Sequence, residues 1–237
     1  MRCMSYVGVS AAFLCVAAYT ATAAVYGWEA EDFDSSEGDP LSVFDVPFTT
    51  TASTGVEFTI DEARGDQFMG TEDAGGPIGG YFTLTRGISL PAAGDWHFWM
   101  RAIGPPTGDN SFFWTIDGAL DIGGADMNIQ DFHEAAGASN NFPFGDSPTE
   151  EQLHSWAWYR FGSREGPFEG GGDEPVPINL SAGFHAFNLA GREDGAFLDM
   201  VFATTDPDFD ANATPPPASV DPVDKLTTTW ASMKAVL

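Results

Sequence analysis

The 237 residues carry 35 Asp and Glu against 9 Lys and Arg, a formal charge of −26. A surface this acidic argues against nucleic acid or an anionic membrane as partner, because phosphate groups would be repelled. Apolar residues at 43% and aromatics at 14% exclude a disordered acidic tail, and the length allows one large β domain or two small ones.

Residues 1–24 read as a signal peptide. Arg2 supplies the positive start, Val7 to Ala18 an apolar stretch, and Ala21-Thr22-Ala23 a small-residue cleavage pattern. Cleavage after Ala23 or Ala24 is expected, with the product secreted, extracellular or at the cell surface. The apolar run is too short to span a bilayer, and no later run would give the mature chain a membrane span. Both cysteines, Cys3 and Cys15, lie in this segment, so the mature chain holds no disulfide. An exported domain without that staple must rely on a large core, on bound metal, or on both.

From Tyr26 onward, short alternating or aromatic-rich runs recur between Gly, Pro, Asn and Asp. Strands are predicted at Tyr26–Glu31, Glu57–Asp61, Gly80–Leu84, Asp95–Ile103, Phe112–Ile116, Trp156–Phe161, Pro177–Leu180, Gly183–Leu189 and Ala196–Thr204. In Asp95–Ile103 the set Trp96, Phe98, Met100 and Ala102 alternates with His97, Trp99 and Arg101, a period of two. Many short strands with regular turn signals predict an all-β fold, a β-sandwich of antiparallel sheets, over residues 25–210. The stretches 121–153 and 165–175 break the rhythm and read as surface excursions.

A Pro-rich linker is expected at 211–222 and a short amphipathic C-terminal tail at 223–237. In the tail Leu226, Trp230, Met233 and Leu237 fall on one helical face, and Lys225 and Lys234 are the only lysines of the chain. That face would suit docking to a protein partner or packing back on the domain.

The order of several short signatures resembles a known family. The segment Trp28-Glu29-Ala30-Glu31 opens the domain. Leu90-Pro91-Ala92-Ala93-Gly94-Asp95-Trp96 leads into a strand ending at Arg101. Ser181-Ala182-Gly183-Phe184-His185 and Phe197-Leu198-Asp199 close it. Together they resemble carbohydrate-binding modules of families six and thirty-five, over roughly residues 26 to 206. The resemblance implies a jelly-roll, galactose-binding-like sandwich, non-catalytic binding of a glycan or polysaccharide, and a structural Ca²⁺ held by Glu29, Glu31 and Asp199. The chemistry of the pair agrees with that. Glu29 and Glu31 are two apart on a predicted strand, so they share a face, and two adjacent carboxylates suit a hard cation.

For the glycan itself the candidates are Trp156, Tyr159 and Arg192. Sugars stack on exposed aromatic faces, and Trp156-Ala157-Trp158-Tyr159 is the densest aromatic cluster. Arg192 sits in the turn Gly191-Arg192-Glu193-Asp194-Gly195. Each of the three also fits a packing or turn role. The alternative function is a structural or surface-assembly protein using the sandwich and tail for protein contacts. An enzyme is not expected. The four His, at 97, 133, 154 and 185, form no metal or nucleophile motif, and no pair among so many acids stands out as a glycosidase pair. Asp206-Pro207-Asp208-Phe209-Asp210 starts like a calcium loop but lacks its Gly and its closing Glu.

Overall fold

The computed structural model describes residues 23–37, 42–52, 54–72, 83–104, 111–118, 128–131, 149–162 and 177–216. The predicted signal segment as far as residue 22, the predicted tail 223–237 and most of the predicted excursions lie outside these residues. In chain order the strands are β1 (Val25–Glu29), β2 (Ser35–Glu37), β3 (Ser42–Asp45), β4 (Phe48–Thr51), β5 (Glu57–Ile60), β6 (Gln67–Gly70) and β7 (Thr83–Leu90). They continue with β8 (Gly94–Ile103), β9 (Ser111–Ile116), β10 (Asn128–Asp131), β11 (Ala157–Arg160), β12 (Ile178–Leu180), β13 (Gly183–Gly191) and β14 (Phe197–Thr204). A single-turn helix α1 spans Glu150–Leu153, and no described helix is long and apolar enough to cross a membrane.

All pairings are antiparallel. One sheet runs β11-β8-β14-β6-β3, with β1 also on β14 and β12 on β8, and the other runs β10-β9-β13-β7-β2. The strands β4 and β5 form a separate hairpin. The two sheets make the sandwich that the turn-rich sequence predicts.

The alternation along β8 places Trp96, Phe98, Met100 and Ala102 in the main core. Phe187 on β13 joins the sheets. Its ring lies 5.3 Å from Trp28 on β1, 5.8 Å from Phe98 on β8 and 5.6 Å from Phe161. Edge-to-face and stacked rings at these separations add to the area they bury. A second apolar cluster sits beside the sandwich, where Phe44, Phe48, Phe58 and Trp156 pack on Phe68 and Phe197.

Three sequence expectations change here. The predicted strand Gly80–Leu84 is β7, which runs on to Leu90. In that extension Arg86 is buried, and its guanidinium donates to the Asp32 carbonyl and the Asp34 carboxylate. The excursion 121–153 contains β10 and α1. The domain also runs past residue 210. Ala211 and Pro216 are buried, so residues 211–216 pack on the sandwich instead of starting a free linker.

Candidate functional site

The side chains of β8 that point away from the core are His97, Trp99 and Arg101. On the neighbouring strands they are joined by Trp158 and Arg160 of β11 and by Met200 and Phe202 of β14. The segment 205–216 crosses this outer face as a strap. Phe209 packs on Trp99 and Phe202, with ring centroids at 6.3 and 5.1 Å. Asn212 closes the open edge of β11. Its Oδ1 accepts from the Trp158 N–H at 3.1 Å and its Nδ2 donates to the Trp158 carbonyl at 2.9 Å. The amide thus takes the place of a further strand at an edge that would otherwise be unpaired.

Between strap and sheet lies a cavity of about 330 Å³, lined by Arg64, Arg101, Trp156, Trp158, Asn212 and Pro215 among others. Its walls are held from behind. Trp156 is half-buried, packs edge-on against Phe68 and donates its Nε1–H to the Glu62 carbonyl. The Arg101 guanidinium sits 5.3 Å over the Trp156 ring. Arg101 in turn donates to Asp199 at 2.7 Å and to Glu62 at 3.0 Å. A planar cation on an indole face, tied at both ends, leaves little freedom to the site.

Asp199 is the hub of this arrangement. A register shift between Leu198 and Met200 places it at a bulge in β14. Bulges re-aim side chains. Asp199 is fully buried, its Oδ2 on Arg101 and its Oδ1 accepting the Arg64 backbone N–H at 2.8 Å. Burial pushes its carboxyl above the usual range, against the pull of Arg101 and the Arg64 N–H.

The other two predicted metal ligands meet at the same turn. Gly65 has φ +66°, and a Cβ there would lie 2.8 Å from Glu29 Oε2 and 2.9 Å from Glu31 Oε1. Only a glycine leaves that space to two carboxylates. Burial pushes the Glu31 carboxyl up to about 7, helped by repulsion from Glu29, and its Oε2 is buried with no hydrogen-bond partner. That pair fits a hard cation. Asp199, the third residue expected in the set, is engaged elsewhere: its Oδ1 accepts the Arg64 backbone N–H and its Oδ2 the Arg101 guanidinium. Among the described residues no group of three or more His, Cys, Asp or Glu is placed to hold a metal.

The three predicted ligand-binding residues are not brought together. Trp156 lines the cavity. Tyr159, on the other face of β11, is fully buried in the main core, so it offers no surface to a sugar. Arg192 donates to Glu193 and to the Ser111 hydroxyl, at 2.9 and 2.7 Å, which ties it into the turn before β14. Sequence reasoning missed Arg64, Arg101 and Asn212 as partners of Trp156. They come from separate segments, and only the outward phase of Arg101 along β8 hinted at its place.

Two other features lie outside this cleft. A wider hollow of about 540 Å³ at the start of β8 is lined by Asp95, His97 and small residues, with no indole or phenyl ring. At the turn before β13, His185 Nδ1 faces Asp117 Oδ2 at 2.6 Å and Nε2 faces the Ser181 carbonyl at 2.9 Å, with the Ser181 hydroxyl at 3.4 Å. Both partners can accept, so the arrangement favours the imidazolium form, in which both ring nitrogens donate. Nε2 is then unable to take a proton from Ser181, and the trio locks a turn instead of activating a nucleophile.

Burial opposes the charge on His185, but the Asp117 and Ser181 contacts outweigh it and hold the value above the ordinary 6.5. The same contact holds Asp117 below its ordinary range. The stability from the raised histidine is therefore complete below about pH 6.5 and is lost as pH rises through its folded value. Thermal melts across pH 6 to 9 should show this fall in wild type and lose that component in His185→Gln. An identical pH profile for the variant would dismiss the lock.

No protein-family model and no curated protein matches the chain. Among solved structures it is similar to the C-terminal family 6 carbohydrate-binding module of the marine laminarinase LamC from Zobellia galactanivorans. The identity is 15% and the TM-score 0.39, over 76% of this chain and 98% of that one. It is similar to a family 6 module of Cellvibrio mixtus lichenase 5A in complex with cellotriose, at 16% identity and TM-score 0.39, over 76% and 96%. A family 35 module from Clostridium thermocellum follows at 12% identity and TM-score 0.35, over 74% and 95%. The sandwich assignment rests on the strand order and register of this chain itself.

Proposed function

We propose that this chain is an exported, non-catalytic module that binds an extracellular glycan in the cleft between the strap and the outer sheet face. The observation that carries the reading is the pairing of Trp156 and Trp158 with donor side chains in one prearranged cavity. An indole face meets the C–H groups of a sugar ring, and fixed polar neighbours orient its hydroxyls. No nucleophile triad or cleft with facing carboxylates competes with this among the described residues. A glycan array should give saturable binding to at least one polysaccharide, weakened roughly tenfold or more in Trp156→Ala. A blank array for a folded wild-type protein would remove the reading.

The proposal includes a structural Ca²⁺ held by Glu29 and Glu31. The cation would neutralise two carboxylates that now crowd Gly65, and would tie the first strand to the turn at Arg64–Asp66. Asp199 supports that turn through the Arg64 N–H instead of ligating. Dialysis against a chelator should lower the melting temperature of wild type and leave Glu31→Gln unaffected. A wild-type melt unchanged by the chelator would exclude the cation.

A further inference from the structure

We propose that the leader is cut between Ala23 and Ala24, and that the α-ammonium created there settles in the hollow at the start of β8 and fastens the first residue of the strap. This rests on the reading of the chain as exported, and on no ligand.

Two observations select that bond. Ala21-Thr22-Ala23 puts small residues first and third before the cut. Ala24, in turn, belongs to the fold. Its carbonyl accepts the Thr205 N–H at 3.0 Å, and its own N–H donates to Thr205 Oγ1 at 2.9 Å. The exchange continues the β1–β14 ladder one residue beyond the Val25–Thr204 pair. A cut after Ala24 would discard both bonds. A cut after Ala23 keeps them and ends the leader at an exposed residue. Hydrolysis of the Ala23–Ala24 amide by a leader peptidase consumes one water. It leaves a carboxylate on Ala23, which departs with the leader, and a protonated amine on Ala24.

The cut therefore adds a charge, and the place that receives it is acidic. Ala24 lines the hollow of about 540 Å³ together with Asp95, His97, Thr205 and Pro207. Neither Asp95 nor the neighbouring Asp206 has an ion pair among the described residues. Asp95 Oδ1 accepts only from the neutral Asn179 amide, at 2.7 Å. His97 does not balance these acids. Burial first, and Arg160 second, hold its imidazole below the ordinary value, against the pull of Asp95 and Asp206. The Arg160 guanidinium meets His97 Nδ1. Around the imidazole stand two carboxylates and one guanidinium, and the α-ammonium supplies the second cation. An ammonium has three N–H groups. One serves Thr205 Oγ1, as the amide N–H does, and two remain for the carboxylate that lines the hollow. Thr205 is where the strap leaves β14, and the Asp206 N–H that follows donates to Thr204 Oγ1 at 3.1 Å. The processed end thus pins the strap at its root, in a mature chain that has no disulfide to do so.

The test has two parts. The full chain is secreted with its leader from a bacterial host, and the mass of the product is read. It should begin at Ala24. Two mature chains are then released from a fusion partner, one starting at Ala24 and one carrying a single glycine before it, and are melted at neutral pH. The extra glycine keeps the Ala24 N–H but moves the charge outward. It should lower the melting temperature by roughly 2–4 °C. In Asp95→Asn that gap should narrow or close. A secreted product that begins at Val25 or elsewhere, equal melts of the two chains, or a gap untouched by Asp95→Asn overturns the proposal and leaves export intact. A product found only inside the cell with its leader attached overturns both.

Discussion

Asp199→Ala should lower stability by about 3 kcal/mol, roughly 5–10 °C in melting temperature, and should abolish glycan binding in the same variant. The reason is geometric. One buried carboxylate serves two partners, the Arg101 guanidinium and the Arg64 backbone N–H. Without it the half-buried Arg64 N–H loses its acceptor. Arg101, which covers the Trp156 ring, is left with only the exposed Glu62. Breaking a buried pair by removing one partner costs more than the pair contributes, because the remaining group stays desolvated. Asp199→Asn keeps an acceptor for Arg64 but loses the charge facing Arg101, so it should fall between the two. Chemical denaturation and calorimetric titration of the three proteins check both effects. A stable Asp199→Ala that still binds glycan would show that the cleft is not organised from this bulge.

Phe187→Ala should cost about 3–5 kcal/mol, a large share of the roughly 5–15 kcal/mol that holds a domain folded. Phe187 is fully buried and touches Trp28, Phe98 and Phe161, so its removal leaves a hole between the two sheets. Loss of Trp158 should cost less, because that residue lies under the strap on the outer face and its surroundings can close in. Urea denaturation distinguishes the cases through the midpoint at constant slope. A Phe187→Ala midpoint close to wild type would mean that the sheets are joined elsewhere.

Much of the sandwich was readable from side-chain rhythm. In β8 the residues Trp96 to Ala102 alternate between the core and the outer face, and β13 and β14 lie where their patterns place them. What escaped has physical causes. The strands β3, β4 and β6 have four residues each and show no full period of alternation. Arg86 is a charged residue on the buried phase of β7, and it breaks the apolar rhythm beyond Leu84. The strap reads as linker because Asp and Pro dominate it, although Phe209 and Ala211 supply enough apolar contact to dock.

The site was legible only in part. Period two put Trp158 and Tyr159 on opposite faces of β11. It could not tell which face the second sheet covers, and Tyr159 is on the covered one. Glu29 and Glu31 do meet at Gly65, but not as alternate residues of one strand as expected, because β1 ends at Glu29 and Glu31 lies in a 3-10 turn at Ala30–Asp32. The engagement of Asp199 with Arg101 depends on strand register. The cleft itself needs a tryptophan near 156, arginines at 64 and 101 and an asparagine at 212 to converge, and no local signal joins them.

The most direct test of the account is an NMR titration that follows the indole N–H signals of the seven tryptophans while an array-positive oligosaccharide is added. Trp156, whose Nε1–H is bound to the Glu62 carbonyl beside the cleft, and Trp158 should shift saturably. Trp28, Trp96 and Trp114, fully buried in the sandwich core, should stay in place. Saturable binding that leaves the Trp156 and Trp158 signals unmoved would contradict the account and put the glycan elsewhere on the molecule.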